Sequence, residues 1–138
     1  MKQLFINLPV KNLEASMHFY TQLGFRVNPL FTFDNQKCMV WSDQIYLMLQ
    51  SYAMFQSGNT KNMADPKENT IASFTLPVAS LDQLNTMMKK GLQAGGTEPT
   101  PASDEGFMQV RNIEDLDGHH WGIICLDIDQ FKAMTGKE

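Results

Sequence analysis

Two stretches of the chain repeat the same hydrophobic pattern, an apolar strand followed by an amphipathic helix. The first strand covers residues 4–10, the second covers residues 72–78, and both end in Leu-Pro-Val. Leu8 and Leu76 are therefore 68 positions apart (76 − 8). Apolar residues at helical spacing then predict one helix in each unit, at residues 13–23 and 80–94. The repeat predicts two related units that pair to make one domain.

Each predicted helix is followed by strand patterns rather than by another helix. Turn residues separate these segments, which lie at residues 25–33, 37–42 and 44–50 in the first unit and at residues 97–99, 106–113 and 119–126 in the second. Strands that follow one another without helices between them must pair mostly as antiparallel neighbours. We therefore predict an α+β fold of two tandem βαβββ units, with a short closing helix at residues 127–135.

The 138 residues are enough for one domain with a sizeable core. Unit one is predicted at residues 1–52 and unit two at residues 69–138, joined by a linker at 53–68 that is rich in Ser, Asn, Gly and Lys. The helix of each unit covers one face of its sheet and leaves the other face open. Two open faces side by side predict a pseudo-symmetric cleft between mixed sheets.

Composition and charge exclude several classes of partner. The net charge of −4 leaves no basic stripe for nucleic acid or for an anionic membrane surface. No apolar run approaches the roughly 18 residues of a membrane span, and the N-terminus lacks the pattern of a signal peptide. Cys38 and Cys125 lie inside apolar strand patterns, which is typical of buried thiols in a reducing compartment. We therefore expect a cytoplasmic protein without nucleic-acid or membrane partners.

Several short motifs keep a characteristic order along the chain, namely Leu8-Pro9-Val10-Lys11-Asn12-Leu13, Ser16, Phe19-Tyr20, Leu23-Gly24-Phe25, Gly95-Gly96 and Glu114-Asp115-Leu116-Asp117-Gly118-His119. Together they resemble the vicinal oxygen chelate superfamily, which includes glyoxalase I, extradiol dioxygenases and the fosfomycin and bleomycin resistance proteins. The last motif is similar to the family's acidic-Asp-Pro-Asp-Gly-His turn, with Leu116 in place of the proline. The resemblance covers nearly the whole chain and implies a homodimer.

The resemblance also implies where a metal would bind, because metal-dependent members use one ligand from the first and last strand of each unit. Those four positions are occupied here by Phe5, Met48, Ser73 and Gly122. A phenyl ring, a thioether, a neutral hydroxyl and a glycine do not supply the carboxylate or imidazole donors that a divalent cation needs. We therefore expect no metal and no other cofactor. A divalent metal held by ligands outside these positions is the alternative.

Strand alternation predicts which side chains line the cleft, namely Phe5, Asn7, Tyr46, Met48, Gln50, Ser73, Thr75, His120, Gly122 and Ile124. This mixture of apolar and polar groups suits a small organic ligand. In the alternative, Phe5 and Met48 plug the cleft and close a core. Arg111 is a further candidate, either as an anchor for a carboxylate or phosphate or as the partner of an acidic residue at 114, 115 or 117.

The adjacent histidines at 119 and 120 are predicted to point to opposite faces of the last strand. His120 has the parity of the cleft, whereas His119 is expected on the helix side or in the turn. The sequence thus predicts that the two imidazoles cannot enter one site. His120 is the candidate general base if the protein is an enzyme.

Three classes of function fit these residues. The favoured one is a metal-free protein of the bleomycin-resistance type that binds a small organic ligand. The second is a glyoxalase-like lyase or isomerase or a dioxygenase-like oxidoreductase, dependent on a metal or on His120. The third is a non-catalytic module whose cleft is filled.

Overall fold

The computed structural model describes all 138 residues and contains two four-stranded sheets. The first unit consists of β1 (Leu4–Pro9), α1 (Leu13–Leu23), β2 (Arg26–Val27), a 3₁₀ turn (Pro29–Phe31), β3 (Gln36–Ser42) and β4 (Ile45–Gln50). Helix α2 (Tyr52–Ser57) follows. The second unit consists of β5 (Ser73–Val78), α3 (Leu81–Gln93), β6 (Ser103–Asp104), β7 (Met108–Glu114) and β8 (His120–Leu126), and α4 (Ile128–Thr135) closes the chain.

The two sheets have the same topology, with strand orders β1-β4-β3-β2 and β5-β8-β7-β6. In each unit the first strand pairs in parallel with the last strand, and the other pairs are antiparallel. The first strands keep the 68-residue repeat, and their partners in the last strands are 74 residues apart (122 − 48), because Asn7 pairs with Met48 and Thr75 pairs with Gly122. The predicted α+β fold of two βαβββ units with a short C-terminal helix is confirmed.

Some predicted boundaries were wrong for local reasons. The strand predicted at 25–33 shrinks to β2, because Pro29 begins a 3₁₀ turn whose Leu30 N–H donates to the Asn28 side chain at 3.0 Å. The segment at 97–99 forms only an isolated bridge from Thr97 to Glu114, and β6 lies further along the chain. Strand β8 begins at His120, so His119 belongs to the preceding turn. The position of His119 in this turn matters for the candidate site described below.

One hydrophobic core serves both units, because α1 and α3 pack against each other and against the inner faces of the two sheets. Its fully buried side chains include Phe19 and Leu23 from α1, Leu84 and Met88 from α3, and Trp121 from β8. Gly91 permits this packing, because a Cβ atom there would lie 2.6 Å from Ile113 Cδ1 and 3.1 Å from Leu23 Cδ1. The core therefore holds the two units together.

The acidic turn between β7 and β8 is folded around the carboxylate of Asp115. Its Oδ1 accepts the backbone N–H groups of Asp117, Gly118 and His119, each at 2.9 Å. Its Oδ2 accepts the hydroxyl of Tyr20 in α1 at 2.6 Å, and Tyr20 in turn accepts the Trp121 indole N–H at 2.9 Å. Burial raises the pKa of Tyr20 well above its usual value, and the carboxylate of Asp115 adds to the rise.

Asp117 joins the same turn to the start of α1. Its Oδ1 accepts the backbone N–H of Lys11 at 2.9 Å, and its Oδ2 accepts the hydroxyl of Ser16 at 3.4 Å. Both Asp115 and Asp117 are 4% exposed, so these hydrogen bonds are shielded from water. The acidic motif that carries the family resemblance therefore acts structurally here, as a joint between the two units.

None of the four helices combines the length and the hydrophobicity of a membrane span.

Candidate functional site

The outer face of each sheet, on the side away from α1 and α3, carries the side chains that strand alternation assigned to the cleft. Phe5 lies beside Tyr46 and Asn7 beside Met48 in the first sheet. In the second sheet the equivalent pairs join Ser73 to His120 and Thr75 to Gly122. The intervening residues of these strands, among them Leu8, Leu47, Leu76 and Ile123, are buried in the core.

The outer face of the first sheet is largely covered. Met48 is 7% exposed and Gln50 is 9% exposed, and α2 contacts β4, the strand that carries both, as well as β1 beside it. Gln50 donates to Gln36 Oε1 at 2.9 Å, and Gln36 donates to the carbonyl oxygen of Phe31 in the 3₁₀ turn at 3.1 Å. Met48 and Gln50 therefore fill this face. Phe5 stays exposed and stacks on Tyr46 with ring centroids 4.5 Å apart.

A cavity of about 320 Å³ lies where β1, the linker and the start of β8 meet. Asn7 and Pro9 contribute from β1, and His119 and His120 contribute from the other side. The whole connection between β4 and β5 (residues 51–72), called the linker from here on, supplies most of the remaining wall, including Phe55, Lys61, Met63 and Ile71. Of the predicted site residues, this cavity brings together only Asn7 and His120. The others lie outside its lining, namely Phe5, Tyr46, Met48, Gln50, Ser73, Thr75, Arg111 and Gly122.

The linker reaches the cavity by passing directly over the turn that precedes β8. Gly118 has a φ of +102°, and a Cβ atom there would lie 2.8 Å from the carbonyl oxygen of Pro66. Glycine is the residue that accepts both this backbone conformation and so close an approach. The sequence prediction missed the linker wall, although Phe55, Met63 and Ile71 stand out as apolar residues in a polar segment.

His119 lies in the turn, as one of the two expected placements had it, but both histidines are among the residues that line the cavity, contrary to the prediction that they cannot enter one site. The alternation rule does not apply, because β8 begins at His120 and His119 lies in the turn. His119 Nε2 is 2.7 Å from the carbonyl oxygen of Pro9. A carbonyl only accepts, so this nitrogen carries the proton, and Nδ1 is the acceptor in the neutral ring.

His120 is held by a different contact, with Nδ1 2.6 Å from the hydroxyl oxygen of Ser73. This hydrogen bond fixes the orientation of the imidazole ring. The other ring nitrogen, Nε2, is not used by Ser73. An oriented imidazole at a cavity is compatible with acid–base chemistry, and the role of His120 as a general base stays a prediction.

Arg111 does not face the cleft, so the expectation that it anchors a ligand there was wrong. It pairs with Ile123 across β7 and β8, which places it on the inner face beside α3. Its guanidinium donates to both carboxylate oxygens of Glu98, at 2.9 and 2.8 Å, and to Asn85 Oδ1 at 3.2 Å. These hydrogen bonds lower the pKa of Glu98. The alternative of an ion pair holds, with Glu98 rather than residue 114, 115 or 117 as the partner.

The residues at the four positions that hold metal in the superfamily do not fit a divalent cation. Phe5, Met48, Ser73 and Gly122 provide one neutral hydroxyl and one thioether between them. Elsewhere, the structure contains no group of three or more His, Cys, Asp or Glu side chains that could hold a metal ion. No reaction step through a metal follows from these residues.

Comparison with known proteins supports the family resemblance. Residues 2–42 match the family model described as bleomycin resistance protein-like N-terminal. A hypothetical protein from S. aureus superimposes with a TM-score of 0.76 and 24% identity, covering 91% of this chain and 94% of that one. A glyoxalase-related enzyme from Fulvimarina pelagi gives 0.76 and 21%, covering 91% and 88%.

A third solved structure is a glyoxalase/bleomycin resistance protein/dioxygenase family enzyme from Burkholderia phytofirmans, with a TM-score of 0.75, 11% identity and coverage of 91% and 99%. No curated protein matches the chain. The fold is the one found in solved glyoxalase/bleomycin resistance protein/dioxygenase structures, as the resemblance implied, and the bleomycin-resistance-like sequence lies in the first unit. At these identities the likeness establishes the fold rather than an activity.

Proposed function

We propose that this protein binds a small organic ligand in the cavity between β1, the linker and the start of β8, without a metal at the four usual positions. The observation that supports this proposal is the cavity itself, which has about 320 Å³ of space and two histidines in its wall. Ligand pockets in proteins have volumes of about 300–1,000 Å³. The ligand is therefore small, or it is the end of a larger molecule that extends into solvent.

The lining of the cavity combines the two kinds of group that such pockets use. Phe55, Met63 and Phe74 offer apolar area, and Asn7 and His120 offer polar atoms. Apolar walls remove the ligand from water, and a few fixed polar groups set its orientation. The contact between Ser73 and His120 fixes one of those groups before the ligand arrives, which reduces the entropy cost of binding.

The comparisons support a binding role of the bleomycin-resistance type. The family model that matches the first unit is described by that name, and its matched region includes Asn7 and Pro9 of the cavity. The four metal positions fit the same proposal, because their side chains are unsuited to the metal chemistry of the superfamily's enzymes.

A tryptophan placed in the cavity tests this proposal. Asn7 lines the cavity, whereas Thr75, its equivalent in the second unit, is exposed on the same face of the other sheet and lies outside the lining. Asn7→Trp is expected to abolish the thermal shift given by a hit from a library of small aromatic compounds, because the indole occupies the ligand's space. Thr75→Trp is expected to keep that shift.

The melting temperature of each variant without ligand serves as the folding control. Equal loss of the ligand-induced shift in both variants, with folding intact, contradicts a site in this cavity. The same conclusion follows if Asn7→Trp retains the full shift.

A further inference from the structure

The cavity is unlike the rest of the molecule in its charge. Its 18 lining residues include Lys61, His119 and His120 but no aspartate or glutamate. The whole chain has the opposite bias, with 15 acidic residues against 11 lysines and arginines. The positive and hydrogen-donating character of the cavity is therefore a local feature and does not reflect the overall composition.

Of the carboxylates nearest to the wall along the chain, those of Asp65, Asp115 and Asp117 accept hydrogen bonds, whereas Glu68, beside Asn69, is exposed and lies outside the lining. Asp65 stands between two lining residues but is not one itself, and its Oδ1 accepts the backbone N–H of Lys67 at 3.0 Å. Asp115 and Asp117 precede the lining residues of the β8 turn, and their oxygens accept hydrogen bonds from that turn and from α1. These oxygens are committed to the fold, so they do not offer partners to a cationic ligand.

Lys61 by contrast forms no ion pair. The ion pairs of the structure join Lys37 to Glu14 and Arg111 to Glu98. Lys61 is thus an unpaired cationic residue in the lining, and its neighbour Asn62 carries an amide with two N–H donors. His120, also in the lining, has a second ring nitrogen that Ser73 does not use.

We infer that the ligand is a small apolar anion, such as an aryl carboxylate, with its negative group held near Lys61 and its body against Phe55, Met63 and Phe74. This inference rests on the proposed binding function and adds the charge of the ligand. A carboxylate next to Lys61 forms charge-assisted hydrogen bonds, whereas an ammonium group there meets a like charge with no carboxylate in the lining to offset it.

Three naphthalene derivatives of similar shape test the sign of the charge at pH 7.5. They are 2-naphthoate, which is an anion, 2-naphthamide, which is neutral, and 2-naphthylmethylammonium, which is a cation. Titration calorimetry on the full chain is expected to give a dissociation constant at least about tenfold lower for the anion than for the cation, with the amide between them. Binding that follows the opposite order overturns the inference.

Substitution of a lysine tests whether any preference for the anion arises from the cavity. Lys61→Gln is expected to weaken 2-naphthoate binding several-fold and to leave 2-naphthamide binding nearly unchanged. Lys67→Gln is the matched control, because it removes the same charge from the same linker outside the lining. Equal losses in the two variants mean that only long-range charge acts, and they overturn the inference.

The outcomes separate this inference from the proposed function. If the amide or the cation binds best and Asn7→Trp abolishes that binding, the cavity is a ligand site and the inferred charge is wrong. If none of the three compounds binds to the wild-type protein at millimolar concentration, the result counts against both.

Discussion

The two units share one strand pattern, but their outer faces are finished differently. In the first unit α2 and the 3₁₀ turn cover the sheet, so Met48 and Gln50 are buried although they occupy outward positions. In the second unit Ile124, the equivalent of Gln50 in the last strand, is only half-buried. Ser73 and Thr75 of β5 are exposed, as are their equivalents Phe5 and Asn7 in β1. Strand alternation thus decides which way a side chain points, and the segments that connect the strands decide whether it reaches solvent.

The turns before the last strand also differ between the two units, in their length and in their contacts. In the first unit β3 and β4 are joined by a short connection that contains Asp43, which is exposed. In the second unit the longer turn folds around Asp115 and docks on α1 through Asp115 and Asp117. The extra residues of the second turn create a joint between the units, and the cavity forms beside that joint.

The largest expected effect comes from removing the carboxylate at the centre of the joint. Asp115→Ala leaves three backbone N–H groups and the Tyr20 hydroxyl without their acceptor. Buried donors without acceptors are costly, so we expect a loss of about 3–5 kcal/mol in the free energy of unfolding. Urea denaturation followed by circular dichroism measures this loss.

Asp43→Ala is the control in the equivalent turn, and its expected effect is within about 0.5 kcal/mol because Asp43 is exposed. Asp115→Asn keeps one acceptor oxygen and serves if Asp115→Ala does not fold. A loss at position 115 no greater than at position 43 contradicts the role of the acidic turn as a joint.

A smaller effect distinguishes the covered face from the open face. Met48→Ala removes a side chain that is 7% exposed, so we expect a loss of about 2–4 kcal/mol. Thr75→Ala removes exposed atoms on the open face of the second sheet, and we expect a change within about 0.5 kcal/mol. Chemical denaturation measures both values. Similar small losses at the two positions mean that the first face is open as well.

The fold could be predicted from the sequence because its signals are local and repeated. The signals are short-range features that occur once in each unit. They are the Leu-Pro-Val triplets, which end at Val10 and Val78 and are 68 residues apart, the helical spacing of apolar residues, and the glycines after both helices. The face of the sheet to which each strand residue points could also be predicted, because it depends only on the two-residue period of a strand. These signals gave the right element order and the right face for Asn7 and His120.

The site was harder to predict because it depends on contacts between distant segments. Nothing local indicates that residues 59–72 cross the turn before β8, and the close approach of Pro66 to Gly118 became evident only in three dimensions. The position of His119 depended on where β8 begins, and a shift of one residue moved that side chain into the cavity. Arg111 lies on the inner face because the register of β7 against β8 pairs it with the buried Ile123, and that register depends on a contact between separate strands.

The central claim is that ligand binding occurs under the linker at the junction of the units, and chemical-shift mapping by NMR tests it most directly. In a titration with 2-naphthoate, the methyl signals of Met63 and Ile71 in the cavity are expected to shift in a saturable way. Those of Met108 and Ile124, on the outer face of the second sheet, are expected to stay in place. Saturable shifts at Met108 and Ile124 without shifts at Met63 and Ile71 would place the ligand on the open face and contradict the account.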